Sequence, residues 1–217
     1  MSSIRDCCTA LAIAVVCAAS PAAVAGVEDE GDAVLLVAKP EMPDINFAQT
    51  VVLVTFPQDS GPMGVVLNRD AGLTIGQLFG PDRPELKDIP DPLYLGGPVK
   101  PDGMLFLFRA PEHPVKALPV VDDLYLSGDG PIFESLVARP ADGGNRKFFA
   151  GYAGWAVGQL DAEIRRGDWH VVPVDAETVL APPMDDLWQR MLVRAASRSA
   201  GANATPGTKP GRRLAAH

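Results

Sequence analysis

Few side chains in this 217-residue chain are types that do chemistry, and their spacing suits none of the common reactions. The histidines are His113, His170 and His217, and no two share a metal-ligand spacing such as i, i+4. Ser127 has glycines only after it, in Ser127-Gly128-Asp129-Gly130-Pro131, so the Gly-x-Ser-x-Gly elbow of a serine hydrolase is missing. The same run follows a strand pattern and opens a helix, which is the setting of a dinucleotide fingerprint. However, Phe133 stands where the third glycine is needed, and Pro131 removes an amide that would face phosphate. It reads as a helix cap. Gly96-Gly97-Pro98 is followed by no helix signal and no Lys-Ser/Thr grip, so it reads as a tight turn. Asp122, Asp123 and Asp129 offer carboxylates for an acid–base pair, although carboxylates near turns are usually caps or solvated. No metal site and no cofactor is expected.

The densest set of unusual residues is the stretch 151–172, GYAGWAVGQLDAEIRRGDWHVV. Tyr152, Trp155 and Gln159 could edge a ligand pocket there; the plainer reading makes both aromatics core residues with satisfied polar tips. The stretch reads as strand end, tight glycine turn, helix, glycine stop, strand. Val157, Leu160 and Ile164 lie at i, i+3, i+7, an apolar helical stripe. Arg165 and Arg166 crowd the last turn, where the helix dipole favours cations, and Gly167 fits the left-handed stop.

The elements around it follow from hydropathy patterning. Ala33–Ala38 and residues 50–56 are apolar on both faces, the mark of strands covered on two sides. Residues 63–67 form a strand in which Gly64 marks a bulge or a close backbone crossing. Thr74 caps a short helix over 74–79, and 80–92 is a surface loop holding a little helix. Pro101 and Gly103 turn the chain into an apolar strand at 104–108. Residues 120–126 read as one strand containing Asp122 and Asp123. Pro131 suits the first position of a helix bearing Ile132, Leu136 and Val137. Residues 147–150 return as a strand. Leu187, Trp188, Met191 and Leu192 give a last helix its buried side, with Arg190 and Arg194 at its end. The order of strands and helices is irregular. The fold class expected is a mixed α/β (α+β-like) domain, a bent mixed sheet forming a pseudo-barrel or sandwich covered by several helices.

Composition bounds the partners and the compartment. A net charge of −8 argues against nucleic acid, because phosphate binding needs a basic face. Arg5, the apolar run 10–19 and Ala23-Val24-Ala25 read as a secretory signal peptide over 1–25, which predicts a periplasmic or secreted protein. Cys7, Cys8 and Cys17 all lie in that leader, so the mature chain would hold no thiol. Residues 26–32 are an acidic lead, 33–194 the domain, and 195–217 a disordered, basic tail. No run after the leader is long and apolar enough to cross a membrane.

Four blocks together resemble the AlgH/YqgE family. They are Pro40-x-Met42-x-Asp44-x-x-Phe47; Gly61-x-Met63-Gly64-x-x-x-Asn68; Gly96-Gly97-Pro98-Val99; and Gly151-Tyr152-Ala153-Gly154-Trp155-x-x-Gly158-Gln159-Leu160 with Glu163 and Trp169. The resemblance covers about 33–194. It implies a compact α/β fold whose sheet bends into a pseudo-barrel, and a link in some members to regulation of exopolysaccharide synthesis. Its recurrent polar positions correspond to Asp44, Asn68, Gln159 and Glu163. Two features depart from the family. Its members are typically leaderless, and the strand after Gly-Gly-Pro-Val often carries a histidine, whereas 104–108 is wholly apolar here.

The leading expectation is therefore a non-enzymatic envelope protein that binds an unknown small ligand or a protein partner. Its candidate ligand-binding residues are Asp44, Asn68, Tyr152, Trp155, Gln159 and Glu163. The rival is a hydrolase-type enzyme using carboxylates and Asn68 in a cleft beside Trp155. A third reading, a nucleic-acid regulator, would need a basic stripe that the folded part lacks.

Overall fold

The apolar runs become strands of one strongly curled sheet. The structure is a computed structural model and describes residues 33–202 apart from 59, 142 and 143. Strands β1 (Ala33–Ala38), β2 (Val51–Thr55) and β3 (Met63–Val66) pair in sequence, each antiparallel to the next. Strand β4 (Asp70–Thr74) leads into helix α1 (Ile75–Phe79), and β5 (Pro92–Leu95) follows. Next come β6 (Val99–Arg109), β7 (Leu118–Val121), β8 (Leu124–Ser127), α2 (Gly130–Val137) and β9 (Arg146–Gly154). Helix α3 (Gln159–Arg166), β10 (Trp169–Pro173), α4 (Ala176–Leu180) and α5 (Leu187–Ala202) complete the order. Along the sheet the strands run β10-β1-β2-β3-β9-β6-β8-β7, and β7 comes back against β1 and β2. The expected bent sheet with covering helices is thus a curled half-barrel.

Doubly apolar strands are needed because this sheet has core on both sides. Leu35, Val37, Leu53, Leu107 and Phe149 point to the inside, where Leu187, Met191 and Ala195 of α5 fill the concavity. Their neighbours Val34, Leu36, Val52 and Val54 point outward under α3, Phe47, Trp155 and Trp169. A second outer cluster lies beneath α1 and α2, with Phe106, Phe148, Phe133 and Leu136 at its centre.

Strand β9 is the junction. Its residues 148–150 pair parallel with β5, while Ala153 and Gly154 pair antiparallel with β3. Between them the chain of Gly96-Gly97 passes so close that side chains are excluded. A Cβ on Gly97 would lie 2.3 Å from the Tyr152 carbonyl carbon, and one on Gly151 would lie 2.5 Å from the Gly97 oxygen. Gly151 also holds φ +67°, a left-handed conformation that glycine adopts without steric cost. Gly151 is therefore a kink inside a continuous strand, which runs beyond the expected 147–150. Gly64 makes the expected close crossing: its added Cβ would meet the Leu53 oxygen at 2.1 Å.

Several other expectations are corrected. Residues 120–126 are not one strand but the β7–β8 hairpin, turned by Asp122 at φ +51°. Pro101 and Gly103 do not separate elements; they lie in a bulge within β6, between the pairs Val99–Tyr152 and Met104–Ala150. Strand β5 and helix α4 had no periodic signal of their own. Val157 is 90% exposed and precedes α3, so the buried stripe is carried by Leu160 and Ile164. Helix α5 runs on to Ala202, with Ala195 buried, so the fold continues past 194. Arg190 and Arg194 thus lie in the first half of α5, not at its end. The leader, the acidic lead and residues 203–217 lie outside the described residues.

The β9 crossing gives a direct test. Gly151→Ala is expected to destabilise the protein by more than about 2 kcal/mol, from left-handed strain plus contact with Gly97. Gly130→Ala, with nothing within 4 Å of its added Cβ, is expected to stay within about 0.5 kcal/mol of wild type. Urea denaturation of both variants reads the difference.

Candidate functional site

Trp155 directly follows β9, Trp169 begins β10, and helix α3 lies between them. Both rings are buried on the outer face of the sheet, so both indole N–H groups need acceptors. One side chain supplies them. Glu163 Oε2 accepts from Trp155 Nε1 at 2.9 Å and from Trp169 Nε1 at 3.0 Å. Its other oxygen accepts from Gln159 Nε2 at 3.0 Å, and Gln159 Oε1 accepts from the Ala156 amide at 3.1 Å. The two indoles meet edge to face, and Phe47 packs on both, with centroids 5.8 Å from Trp155 and 5.6 Å from Trp169.

The remaining family positions support this arrangement from elsewhere. Asp44 is exposed, and its Oδ1 accepts from the Asn46 amide at 2.8 Å in the turn that delivers Phe47. Asn68 splints two strand ends: Oδ1 accepts from the Val51 amide and Nδ2 donates to the Gln49 carbonyl, each at 2.9 Å. It lies five residues beyond Met63, roughly 16 Å along an extended chain from the Trp155 end of β3. Asp44, Asn68, Gln159 and Glu163 are therefore not gathered in one cleft. Each holds hydrogen bonds that shape the fold.

Tyr152 and Trp155 do share an opening. With Pro62, Met63, Val99 and Gly154 they line a hollow of about 370 Å³. The Trp155 amide donates to the Pro62 carbonyl at 3.0 Å, which fixes one wall. Tyr152 is half-buried, and its hydroxyl makes no hydrogen bond among the described residues.

The other chemical residues have structural roles. Ser127 donates to the Lys116 carbonyl at 2.6 Å and accepts from the Asp129 amide. Asp123 pairs with Arg109, and Asp129 pairs with Lys116 at 2.8 Å. His113 stacks on Tyr125 and lies 2.9 Å from the Ala117 carbonyl. Burial, helped by Lys39, pushes His170 below its ordinary value. His217 lies outside the described residues, among which no cluster of metal-binding side chains occurs.

Sequence patterning misses two buried cations at the start of β9. Arg146 holds both oxygens of Asp91, at 3.0 and 2.7 Å, and also reaches the carbonyls of Leu136 and Arg139 at the end of α2. Lys147 is 5% exposed, with Nζ 4.8 Å from the Tyr94 ring centre. Lys147 reads as the polar start of the strand 147–150 and Arg146 as the residue before it; the hint of burial is that the apolar run Phe148-Phe149-Ala150 follows at once.

Known proteins resemble this chain in sequence and in fold. A family model described as AlgH-like matches residues 35–200. The chain belongs to the AlgH-like family. A UPF0301 protein of Parabacteroides distasonis is 34% identical over 159 residues, 71% of this chain and 78% of that one. A UPF0301 protein of Rhodococcus erythropolis is 35% identical over 164 residues, 74% and 80% of the two chains. The solution structure of the AlgH protein from Pseudomonas aeruginosa matches with TM-score 0.60 and 28% identity, over 82% of this chain and 95% of that one. The crystal structure of protein DIP2367 from Corynebacterium diphtheriae matches with TM-score 0.60 and 27% identity, over 76% and 87%. The AlgH-like family is one of uncharacterised biochemical function.

Glu163→Ala leaves two buried indole donors without their acceptor. It is expected to cost about 2–4 kcal/mol in urea denaturation, and Glu163→Gln, which keeps one acceptor oxygen, less than half of that. Lys147 gives a pH signature. Burial lowers it to about 8 from an ordinary 10.5, so between those values the unfolded chain holds a proton that the folded chain has lost. Stability then rises with pH through this window. Relative to Lys147→Met, wild type is expected to gain up to about 3 kcal/mol between pH 8 and 10.5; a flat difference across that range would contradict the assignment.

Proposed function

We propose that this AlgH-like protein acts by binding, and that it does so in the cell envelope. The observation that carries the binding reading is the division of roles around Trp155. The side chains that an acid–base mechanism would need, Glu163, Gln159, Asn68 and Asp44, are committed to hydrogen bonds that hold the fold. The open hollow beside them presents instead an aromatic face, the apolar side chains of Pro62, Met63 and Val99, and the Tyr152 hydroxyl, which makes no hydrogen bond among the described residues. Such a surface suits a small ligand, or a partner's side chain, with an apolar body and one polar atom. The envelope reading rests on the leader expected over 1–25 and on the absence of cysteine after Cys17, which suits an oxidising compartment.

The test is a fragment screen of residues 26–217 read by tryptophan fluorescence, since Trp155 lines the hollow. Hits are expected to lose about tenfold or more in affinity on Tyr152→Ala, with the melting temperature nearly unchanged. Hits that ignore that change would remove the hollow as the binding surface. The compartment is read from the same protein in fractionated cells: a mature chain beginning at Gly26 outside the cytoplasm is expected, and an intact Met1 inside it would contradict the envelope reading.

A further inference from the structure

A second hollow shares no lining residue with the one beside Tyr152: α4, the start of α5, the end of β6 and the residues just before β9 line a groove of about 660 Å³, within the size range of small-molecule sites. In a chain of net charge −8 this groove gathers three guanidiniums, Arg109, Arg190 and Arg194. Arg190 and Arg194 stand at i, i+4 on one helix face, where two like charges repel. Two of the three are anchored. Arg109 pairs with Asp123, and Arg194 pairs with Asp175 and contacts Thr178 Oγ1 at 3.2 Å. Each anchored guanidinium keeps further N–H groups, because the fork carries five.

Asp175 does not oppose an incoming anion strongly. Burial raises the cost of its charge, but hydrogen bonds from Arg194 and from the Thr178 amide and hydroxyl outweigh this and hold the carboxyl below its ordinary value. Its charge is thus matched within the protein. Arg190 differs from the other two arginines. Its Nη1 rests 3.1 Å from Met184 Sδ, a weak acceptor, and it forms no ion pair among the described residues. The same groove wall carries Leu180, Met184 and Met191, and methionine adapts readily to irregular apolar shapes. Glu177, which is exposed, is the lining's other carboxylate.

We propose that this groove binds a small molecule carrying one carboxylate or phosphate on an apolar stem. Arg190 takes the anionic head, with the spare N–H groups of Arg109 and Arg194 beside it, and the stem lies along Leu180, Met184 and Met191. The site is separate from the Tyr152 hollow and does not depend on the function proposed there.

The experiment is calorimetric titration of residues 26–217 with octanoate, octyl phosphate and neutral octanamide. At least one of the two anions is expected to bind more than about tenfold tighter than octanamide, and the tighter one names the head group. Arg190→Gln is expected to weaken that anion about tenfold or more, and Glu177→Gln to tighten it two- to threefold. Both positions are exposed, so neither change threatens the fold. Tyr152→Ala is expected to leave the affinity unchanged. Equal binding of octanamide and the anions, no binding of either anion, or an affinity indifferent to Arg190→Gln would overturn the proposal.

Discussion

Two buried indole N–H groups on the outer face of the sheet must each find an acceptor, and one carboxylate oxygen serves both. A buried donor left alone costs on the order of 1–3 kcal/mol, so this pairing dictates where Glu163 must be. Glu163 in turn sets the rotation of α3, because Leu160 then faces the core and the charged residues face solvent. Phe47 closes the cluster, and the Asp44 turn positions Phe47. Phe47, distant in the chain, thus packs on two indoles held by one nearby carboxylate. The recurrent polar positions of the family resemblance make hydrogen bonds that frame this cluster and the strands beneath it.

The cluster rests on β9, and β9 bends as it does because Gly97 and Gly151 let two backbones touch. That contact lets one strand pair with β5 along part of its length and with β3 further on. The fork curls the sheet, and curling creates the three separate cores. It also sets the hollow beside Tyr152, whose wall Gly154 is the last residue of the same strand.

Much of this frame was legible in the sequence, and the reasons differ by element. Strands β1 and β2 announce themselves because a sheet with core on both faces needs unbroken apolar runs. The cap at Thr74 reads correctly because its partner Gln77 lies three residues on, and both reciprocal hydrogen bonds form. The run of β9 from Ala150 on to Gly154 was missed because sequence shows a glycine's freedom but not whether the chain turns or only bends. The β7–β8 hairpin was missed because Asp122 adopts a left-handed conformation without a glycine beside it. Helix α5 was cut short because the small, polar residues after Ala195 look like a tail, while Ala195 itself is held by long-range packing.

The candidate residues divide along the same line. Trp155, Gln159 and Glu163 lie within one local stretch, so their meeting follows from helix geometry. Asn68 and Asp44 act on backbone amides near in sequence or paired across strands, and no residue pattern reveals that. The arginine groove joins three separate segments and has no sequence signature at all.

The most direct check compares the three indole N–H resonances of wild type and Glu163→Gln by NMR at one pH. If Glu163 is the shared acceptor, the Trp155 and Trp169 signals both shift on that change. The Trp188 signal stays still, because its Nε1 donates to the Ala38 carbonyl at 2.7 Å. A shift of only one of the two signals, or of neither, would contradict the account.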